Sequence, residues 1–142
     1  MLYLRSGIYW ILMVVSAAIL GFLTLFTFPF PVDKRFKFAR SWAVLNLWML
    51  KHICNLSFTV EGRENMPSEG AVVLCKHQST WETIALQLIL PSVRWVLKRE
   101  LLRVPLFGWG LAMLQPIAID RAAGHKAVAQ LVEQGKPMLD DG

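Results

Sequence analysis

The first quarter of the chain is dominated by apolar residues that no charged side chain interrupts. Residues 6–32 contain no Asp, Glu, Lys or Arg. A helix over this stretch would reach ~40 Å at ~1.5 Å per residue, which exceeds the ~30 Å of bilayer hydrocarbon. The pattern therefore predicts a membrane helix over residues 7–32. A cleaved signal peptide would have a shorter apolar core and a small-residue cleavage site, so we expect this segment to be retained.

A second apolar stretch, bounded by basic residues, is too short to cross a bilayer. Its apolar residues recur at helical spacing, and it contains Trp42 and Trp48, a residue type enriched at membrane–water interfaces. These features predict a helix over residues 36–55 that lies in the interface or folds back as a hairpin. An ordinary core helix of the following domain is the alternative. We assign residues 1–56 to membrane-anchoring helices.

From residue 57 onward, short apolar runs alternate with amphipathic segments. Runs rich in branched residues predict buried strands, and clusters of Gly, Pro and Asn predict the loops between them. Strands that alternate with helices indicate an α/β fold with a mostly parallel sheet covered by helices. Residues 57–142 would be the N-terminal part of such a domain, with an incomplete sheet. The predicted strands are 57–61, 71–76, 93–98 and 116–120, and the predicted helices are 79–90, 99–114 (broken near Pro105 and Gly108) and 122–134.

The charge of the chain is positive and unevenly placed. There are 15 Lys and Arg residues against 10 Asp and Glu residues, a formal net charge of +5. A basic cluster follows the apolar helix directly, which by the positive-inside rule places the following residues in the cytoplasm. The same cluster would attract anionic lipid head groups. Because it adjoins a hydrophobic anchor and no nucleic-acid motif is visible, we expect no nucleic-acid partner. The cluster consists of Lys34, Arg35, Lys37 and Arg40.

The candidate chemistry lies at residues 77–82, His-Gln-Ser-Thr-Trp-Glu, directly after the predicted strand 71–76. Open α/β sheets collect functional groups where their strands end. His77 is a candidate general base, and Glu82 could orient its imidazole and stabilise the cation that forms. The alternative is structural, because Ser79 and Glu82 have the spacing of a capping box that begins a helix. His77 would then be a histidine bonded to the backbone.

Basic residues also end two other predicted strands. Arg121 follows the run Pro-Ile-Ala-Ile-Asp, and a guanidinium can bind a phosphate through two parallel hydrogen bonds. The alternative for Arg121 is a salt bridge with Asp120. Lys98 ends the strand 93–98 and is a second candidate for binding an anionic substrate, although such residues are more often surface charges. The two cysteines do not make a zinc site, and no metal is predicted.

These motifs, in this order, resemble the glycerolipid acyltransferase family. The hexad at 77–82 is similar to that family's first motif, with Glu82 at the position where the family usually has Asp. Residues 115–121 are similar to its second motif, and the intervening segment from Lys98 to Gly110 also follows the family's pattern. The similarity spans roughly residues 58–135, and the N-terminal helices match as well.

The resemblance implies a reaction. A fatty acyl group would pass from acyl-CoA or acyl carrier protein to the free hydroxyl of 1-acyl-glycerol 3-phosphate, forming phosphatidic acid. His77 would deprotonate the hydroxyl, Glu82 would hold the imidazole, and Arg121 would bind the acceptor phosphate. No cofactor beyond the acyl donor is implied. The expected location is the inner membrane, with the catalytic part on the cytoplasmic side and membrane lipids as partners.

A third motif of this family, Phe-Pro-Glu-Gly-Thr-Arg, should lie on the next strand. Residues 1–142 do not contain it, so we expect the chain by itself to have little or no activity. Two alternatives stay open. One is an inactive membrane-anchored fragment that only binds lipid or a partner protein, and the other is an acyltransferase with another lysolipid acceptor.

Overall fold

The computed structural model describes residues 1–67, 69–91 and 93–140, and the side chain of Arg121 also lies outside the described part. Within these residues, N-terminal helices precede a short parallel sheet that further helices accompany, so the predicted α/β class is confirmed. In chain order the elements are α1 (Leu2–Leu25), α2 (Val32–Cys54), α3 (Thr80–Ile89), β1 (Val96–Lys98), α4 (Phe107–Ala112), β2 (Ile117–Ile119) and α5 (His125–Asp140), with 3-10 turns at Arg63–Asn65, Arg99–Arg103 and Arg121–Ala123.

The first two helices form an antiparallel hairpin. α1 ends at Leu25, seven residues before the predicted end at 32, because Pro29 and Pro31 have no N–H to continue a helix. α2 begins directly after Pro31 and ends where Asn55 adopts a left-handed φ of 55°. The end of α2 lies beside the start of α1, with the Cys54 Sγ 3.9 Å from the Arg5 carbonyl oxygen. The second helix therefore folds back along the first.

α1 is largely exposed along its length. Within the described part of the chain, it is the one helix long and apolar enough to cross a membrane, judged by length and composition. Its most hydrophobic stretch of 18 residues has a mean hydropathy of 2.3, yet only 6% of that stretch is buried. A helix that is apolar on all sides normally lies in a core or in lipid. Most of α1 is therefore left uncovered by the rest of the described chain.

The seam between α1 and α2 contains a small polar network. Ser16 Oγ accepts hydrogen bonds from Trp42 Nε1 at 3.1 Å and from Asn46 Nδ2 at 3.4 Å, and itself donates to the Met13 carbonyl at 3.0 Å. Asn46 Nδ2 also donates to the Trp42 carbonyl at 2.9 Å. Asn46 is fully buried, and its Oδ1 has no donor among the described residues. The network gives an otherwise apolar seam one specific point of contact.

Among the described residues, the sheet consists of two parallel strands. Val96 pairs with Ile117 and Lys98 with Ile119, so the carboxyl ends of β1 and β2 lie at the same edge. The outer edge of β2 is covered by side chains of α5 rather than by another strand. Gln134 exchanges two hydrogen bonds with the Ala118 backbone at 3.2 and 3.3 Å, and Gln130 accepts from the Asp120 N–H at 3.1 Å. The buried apolar core includes Ala43, Met49, Leu50, Ile84, Ala85, Leu97 and Ile117.

Two predicted strands are absent from the described residues, and the predicted end of the last helix is wrong, as is that of the first. Residues 57–61 and 71–76 have no strand structure, and Leu74, predicted to be buried, is 93% exposed. A strand needs neighbours for its N–H and C=O groups, and no described strand lies beside either segment. α5 continues through Gly135 and Pro137 to Asp140. Tertiary packing accounts for this, because Gly135 lies against Ile117 and its neighbour Gln134 bonds to β2.

Candidate active site

The start of α3 is a complete capping box, as the Ser-x-x-Glu spacing predicted. Ser79 has extended backbone angles, and its Oγ accepts a hydrogen bond from the Trp81 N–H at 3.1 Å. In return, Glu82 Oε2 accepts from the Ser79 N–H and from the Ser79 hydroxyl, each at 2.9 Å. Glu82 Oε1 accepts from the Gln78 N–H at 3.0 Å. These donors hold the carboxylate in one position and assign Ser79 to capping.

The same carboxylate faces His77. His77 Nδ1 lies 3.6 Å from Glu82 Oε2, within ion-pair distance but too long for a hydrogen bond. The His77 side chain is 67% exposed, whereas that of Glu82 is 17% exposed. A partner at Nδ1 favours the tautomer with its proton there, which leaves Nε2 free to accept a proton. The two roles proposed for Glu82, helix cap and imidazole partner, are therefore compatible.

Hydrogen bonds keep Glu82 charged. Its own backbone N–H, together with the Gln78 N–H, the Ser79 hydroxyl and the Ser79 N–H, lowers the pKa of Glu82 to about 2. Desolvation opposes this shift but is outweighed. A carboxylate that accepts several N–H bonds is stabilised in its ionised form. Glu82 therefore presents a negative charge to the imidazole at any pH near neutrality.

α3 is positioned by packing against α2. Ile84 and Ala85 are buried, and Arg40 of α2 donates from Nη2 to the Leu88 carbonyl at 2.9 Å near the end of α3. At its start, Trp81 packs edge-on against Phe58, with ring centroids 5.2 Å apart. Neither Arg40 nor Phe58 was a predicted site residue. No spacing in the sequence links either of them to α3, so only the folded chain could identify them.

The two basic candidates lie at the shared edge of the sheet. Lys98 is exposed at the end of β1, in register with Ile119. Arg121 follows two residues later in a 3-10 turn, and its side chain lies outside the described residues. Asp120, the alternative partner of Arg121, uses its Oδ1 to accept the Ala122 N–H at 2.9 Å.

The structure thus brings together two pairs rather than one site. His77 and Glu82 form one pair, and the backbones of Lys98 and Arg121 share one sheet edge. In the described part of the chain, no hydrogen bond or ion pair joins the first pair to Lys98. The segment 71–76 would have to enter the sheet to bring its carboxyl end, and His77, to that edge.

The sequence that forms this α/β domain has known relatives. Residues 57–141 match the family model described as Acyltransferase. The chain belongs to the Acyltransferase family, which confirms the resemblance found in its motifs.

The names of two related proteins are more specific than the family description. The chain is 40% identical over 141 residues to the 1-acyl-sn-glycerol-3-phosphate acyltransferase of Pseudomonas aeruginosa, an alignment that covers 98% of this chain and 55% of the relative. It is 26% identical over 127 residues to a chloroplastic 1-acyl-sn-glycerol-3-phosphate acyltransferase of Arabidopsis thaliana, over 83% of this chain and 34% of the relative. The chain spans about half of the first relative and a third of the second. No solved structure matches it significantly.

Proposed function

We propose that this chain acts in the transfer of a fatty acyl group from acyl-CoA or acyl carrier protein to 1-acyl-glycerol 3-phosphate, with phosphatidic acid as the product. The observation that carries the proposal is the His77–Glu82 pair, in which a capping box holds an ionised carboxylate 3.6 Å from an exposed imidazole. The names of both relatives suggest the acceptor and the type of reaction, whereas the acyl donor comes from the resemblance in the motifs.

The residues suggest a direct transfer. His77 takes the proton of the acceptor's free hydroxyl, and the oxygen attacks the thioester carbonyl. The carbon–sulfur bond then breaks, and the thiolate leaves and takes the proton from His77. Glu82 orients the imidazole and stabilises its cationic form. General-base assistance of this kind accelerates a reaction by ~10²–10⁴.

The acceptor carries a phosphate, and two basic residues at the sheet edge are candidates for binding it. Arg121 binds this phosphate, and Lys98 contributes a second positive charge. Their placement at the carboxyl edge of parallel strands, where open sheets bind ligands, supports these roles. Replacement of Arg121 by alanine should raise the KM for the acceptor more than that for the acyl donor, and Arg63→Ala is the matched control.

The decisive experiment measures phosphatidic acid formation by the protein expressed from its complete reading frame. His77→Ala should lower kcat by ~10²–10⁴, whereas His125→Ala, at an exposed histidine of α5, should not. Wild-type activity of His77→Ala would overturn the proposal. A panel of other lysolipids tests the alternative acceptors, and residues 1–142 expressed alone test the alternative of an inactive lipid-binding fragment.

We further propose that the protein is anchored in the inner membrane by α1, with residues after the hairpin in the cytoplasm. The exposed apolar surface of α1 and the basic residues that follow it support a hairpin that enters the bilayer from the cytoplasmic side, because α2 folds back along α1 and returns to the level of Arg5. The exposed thiol of Cys75 allows a test in a Cys54→Ser background. A membrane-impermeant maleimide should label Cys75 in inverted inner-membrane vesicles but not in intact spheroplasts. The reverse pattern would contradict the orientation.

A further inference from the structure

The short helix α4 is joined to α1 by direct backbone contact. A Cβ atom on Gly110 would collide with the carbonyl oxygen of Gly21 and lie 2.6 Å from its Cα. A Cβ on Gly21 would in turn lie 2.8 Å from the Leu106 carbonyl oxygen. Glycines on both sides thus permit an approach that side chains would prevent. Because a helix is only about 10 Å wide, α4 cannot lie far from any surface that α1 contacts.

The surface beside this contact is apolar. An open cleft of about 350 Å³ is lined by Leu106 and, from α1, by Ala18, Ile19, Phe22 and Leu23. Three large apolar side chains of the segment 99–112 are also exposed. They are Leu101, Val104 and Trp109, the last being 47% exposed. Exposed large apolar side chains that cluster in one segment often mark a contact surface, and Trp favours the membrane–water interface.

Positive charges accompany the apolar residues. Arg99 and Arg103, in the 3-10 turn before α4, are exposed. Neither forms a salt bridge within the described residues, although an acidic residue, Glu100, lies between them in sequence. Apolar side chains next to basic ones match a bilayer, which offers acyl chains beneath anionic head groups.

We propose that segment 99–112 is a second lipid-contacting element, and that it enters the same bilayer interface as α1. The inference rests on the proposed membrane association of α1, to which α4 is fixed at Gly21 and Gly110. The occupant of the surface is a bilayer that contains anionic lipid. Val104, Trp109 and Leu106 contact its acyl chains, while Arg99 and Arg103 contact its phosphates. The element would keep the sheet edge, with Lys98, close to the membrane surface.

The experiment places an environment-sensitive fluorophore on single cysteines of the full chain, in a background with Cys54→Ser and Cys75→Ser. The chain is reconstituted into phosphatidylcholine–phosphatidylglycerol vesicles whose acyl chains are brominated or not. The label at Val104→Cys should lose most of its fluorescence in brominated lipid. Labels at two other exposed apolar positions serve as references: Ile11→Cys on α1 and Val128→Cys on α5. The first should be quenched, and the second should not.

The reference labels separate the two proposals. If the label at position 11 is quenched but the label at 104 is quenched no more than the label at 128, the second lipid contact is overturned and the anchor stands. If the label at position 11 is also unquenched, both the anchor and the second lipid contact are overturned. If Val104→Cys does not fold, Trp109→Cys replaces it. In the presence of phosphatidylglycerol, Arg103→Gln should reduce quenching at 104 more than the matched control Arg63→Gln, and equal effects would contradict the role of Arg103.

Discussion

His77 Nδ1 stands 3.6 Å from the same Glu82 oxygen that accepts the Ser79 N–H at 2.9 Å. The capping box and the proposed acid–base pair, which were alternatives at the level of sequence, therefore use one carboxylate. The capping interactions prepare Glu82 to act as a partner of the imidazole, because the N–H and O–H donors fix its carboxylate and keep it ionised. This arrangement makes the two roles experimentally separable.

Glu82→Gln should lower kcat while α3 stays folded. A glutamine Oε1 can still accept the Ser79 N–H, so the cap persists, but the negative charge opposite His77 is lost. We expect kcat for acyl transfer to fall by about 10-fold to 10³-fold with little change in KM. Circular dichroism should show unchanged helix content. Glu100→Gln, at an exposed carboxylate, is the control, and full activity in Glu82→Gln would rule out the relay.

The low pKa of Glu82 predicts an acid-dependent loss of stability. Its pKa is about 2 in the folded chain against an ordinary value of 4.5. A depressed pKa stabilises the folded state above 4.5, and this contribution disappears as the pH falls from 4.5 towards 2. The unfolding temperature of the wild type should therefore drop more steeply across this window than that of Glu82→Gln. Parallel curves for the two proteins would show that the carboxylate does not contribute.

Gly110→Ala should destabilise the packing of α4 on α1. The added Cβ has no room against the Gly21 backbone, and overpacking of this kind typically costs about 1–3 kcal/mol. Gly7→Ala in α1 is the matched control, since a Cβ there meets nothing within 4 Å. Alanine favours a helix over glycine, so the control should be neutral or slightly stabilising. Thermal unfolding in detergent measures both, and equal effects would contradict the close backbone contact.

The stability of Asn46 variants should depend on the charge of the new side chain rather than on its size. Asn46→Leu removes a buried carbonyl oxygen that has no donor in the described part of the chain, and it also removes the hydrogen bonds from Nδ2 to Ser16 and Trp42. These effects oppose each other, so we expect the free energy of unfolding to change by less than about 1 kcal/mol. Asn46→Asp keeps the shape but places an acceptor beside the Trp42 carbonyl, and a buried unpaired charge costs about 3 kcal/mol or more. Chemical denaturation compares the two variants. Equal stability would show that water reaches the seam.

The basic cluster should divide into structural and lipid-binding members. Arg35 donates to the Phe28 and Phe30 carbonyls at 2.8 Å and to the Met113 carbonyl at 3.2 Å, so it ties the hairpin turn to the end of α4. Arg35→Met should cost about 2 kcal/mol or more in stability. Lys37 is exposed, and Lys37→Met should instead weaken binding to anionic vesicles by about 1 kcal/mol. Identical behaviour of the two variants in both assays would refute this division.

The elements predicted correctly from the sequence are those that local interactions determine. The α3 start follows from the Ser79–Glu82 spacing, and the break within residues 99–114 follows from Pro105. The break predicted at Gly108 was wrong, because Gly108 lies inside α4. β1 and β2 lie inside the predicted strands 93–98 and 116–120. By contrast, residues 71–76 have the composition of a strand without being one here, because strand formation depends on partners that composition does not supply.

The sequence by itself determined the apolar N-terminal helix, the order of the elements from α3 to α5, the capping box, and the set of motifs that identified the family. Each of these depends on residue type and short-range spacing. Only the tertiary structure decided that Glu82 faces both Ser79 and His77, that Arg35 and Arg40 bind backbone carbonyls, and that α4 touches α1 at Gly21. Some of these relationships join residues that are distant along the chain. In the case of Glu82, two residues compete for one carboxylate. Their outcome depends on packing and on the full set of hydrogen-bond partners, which no local pattern records.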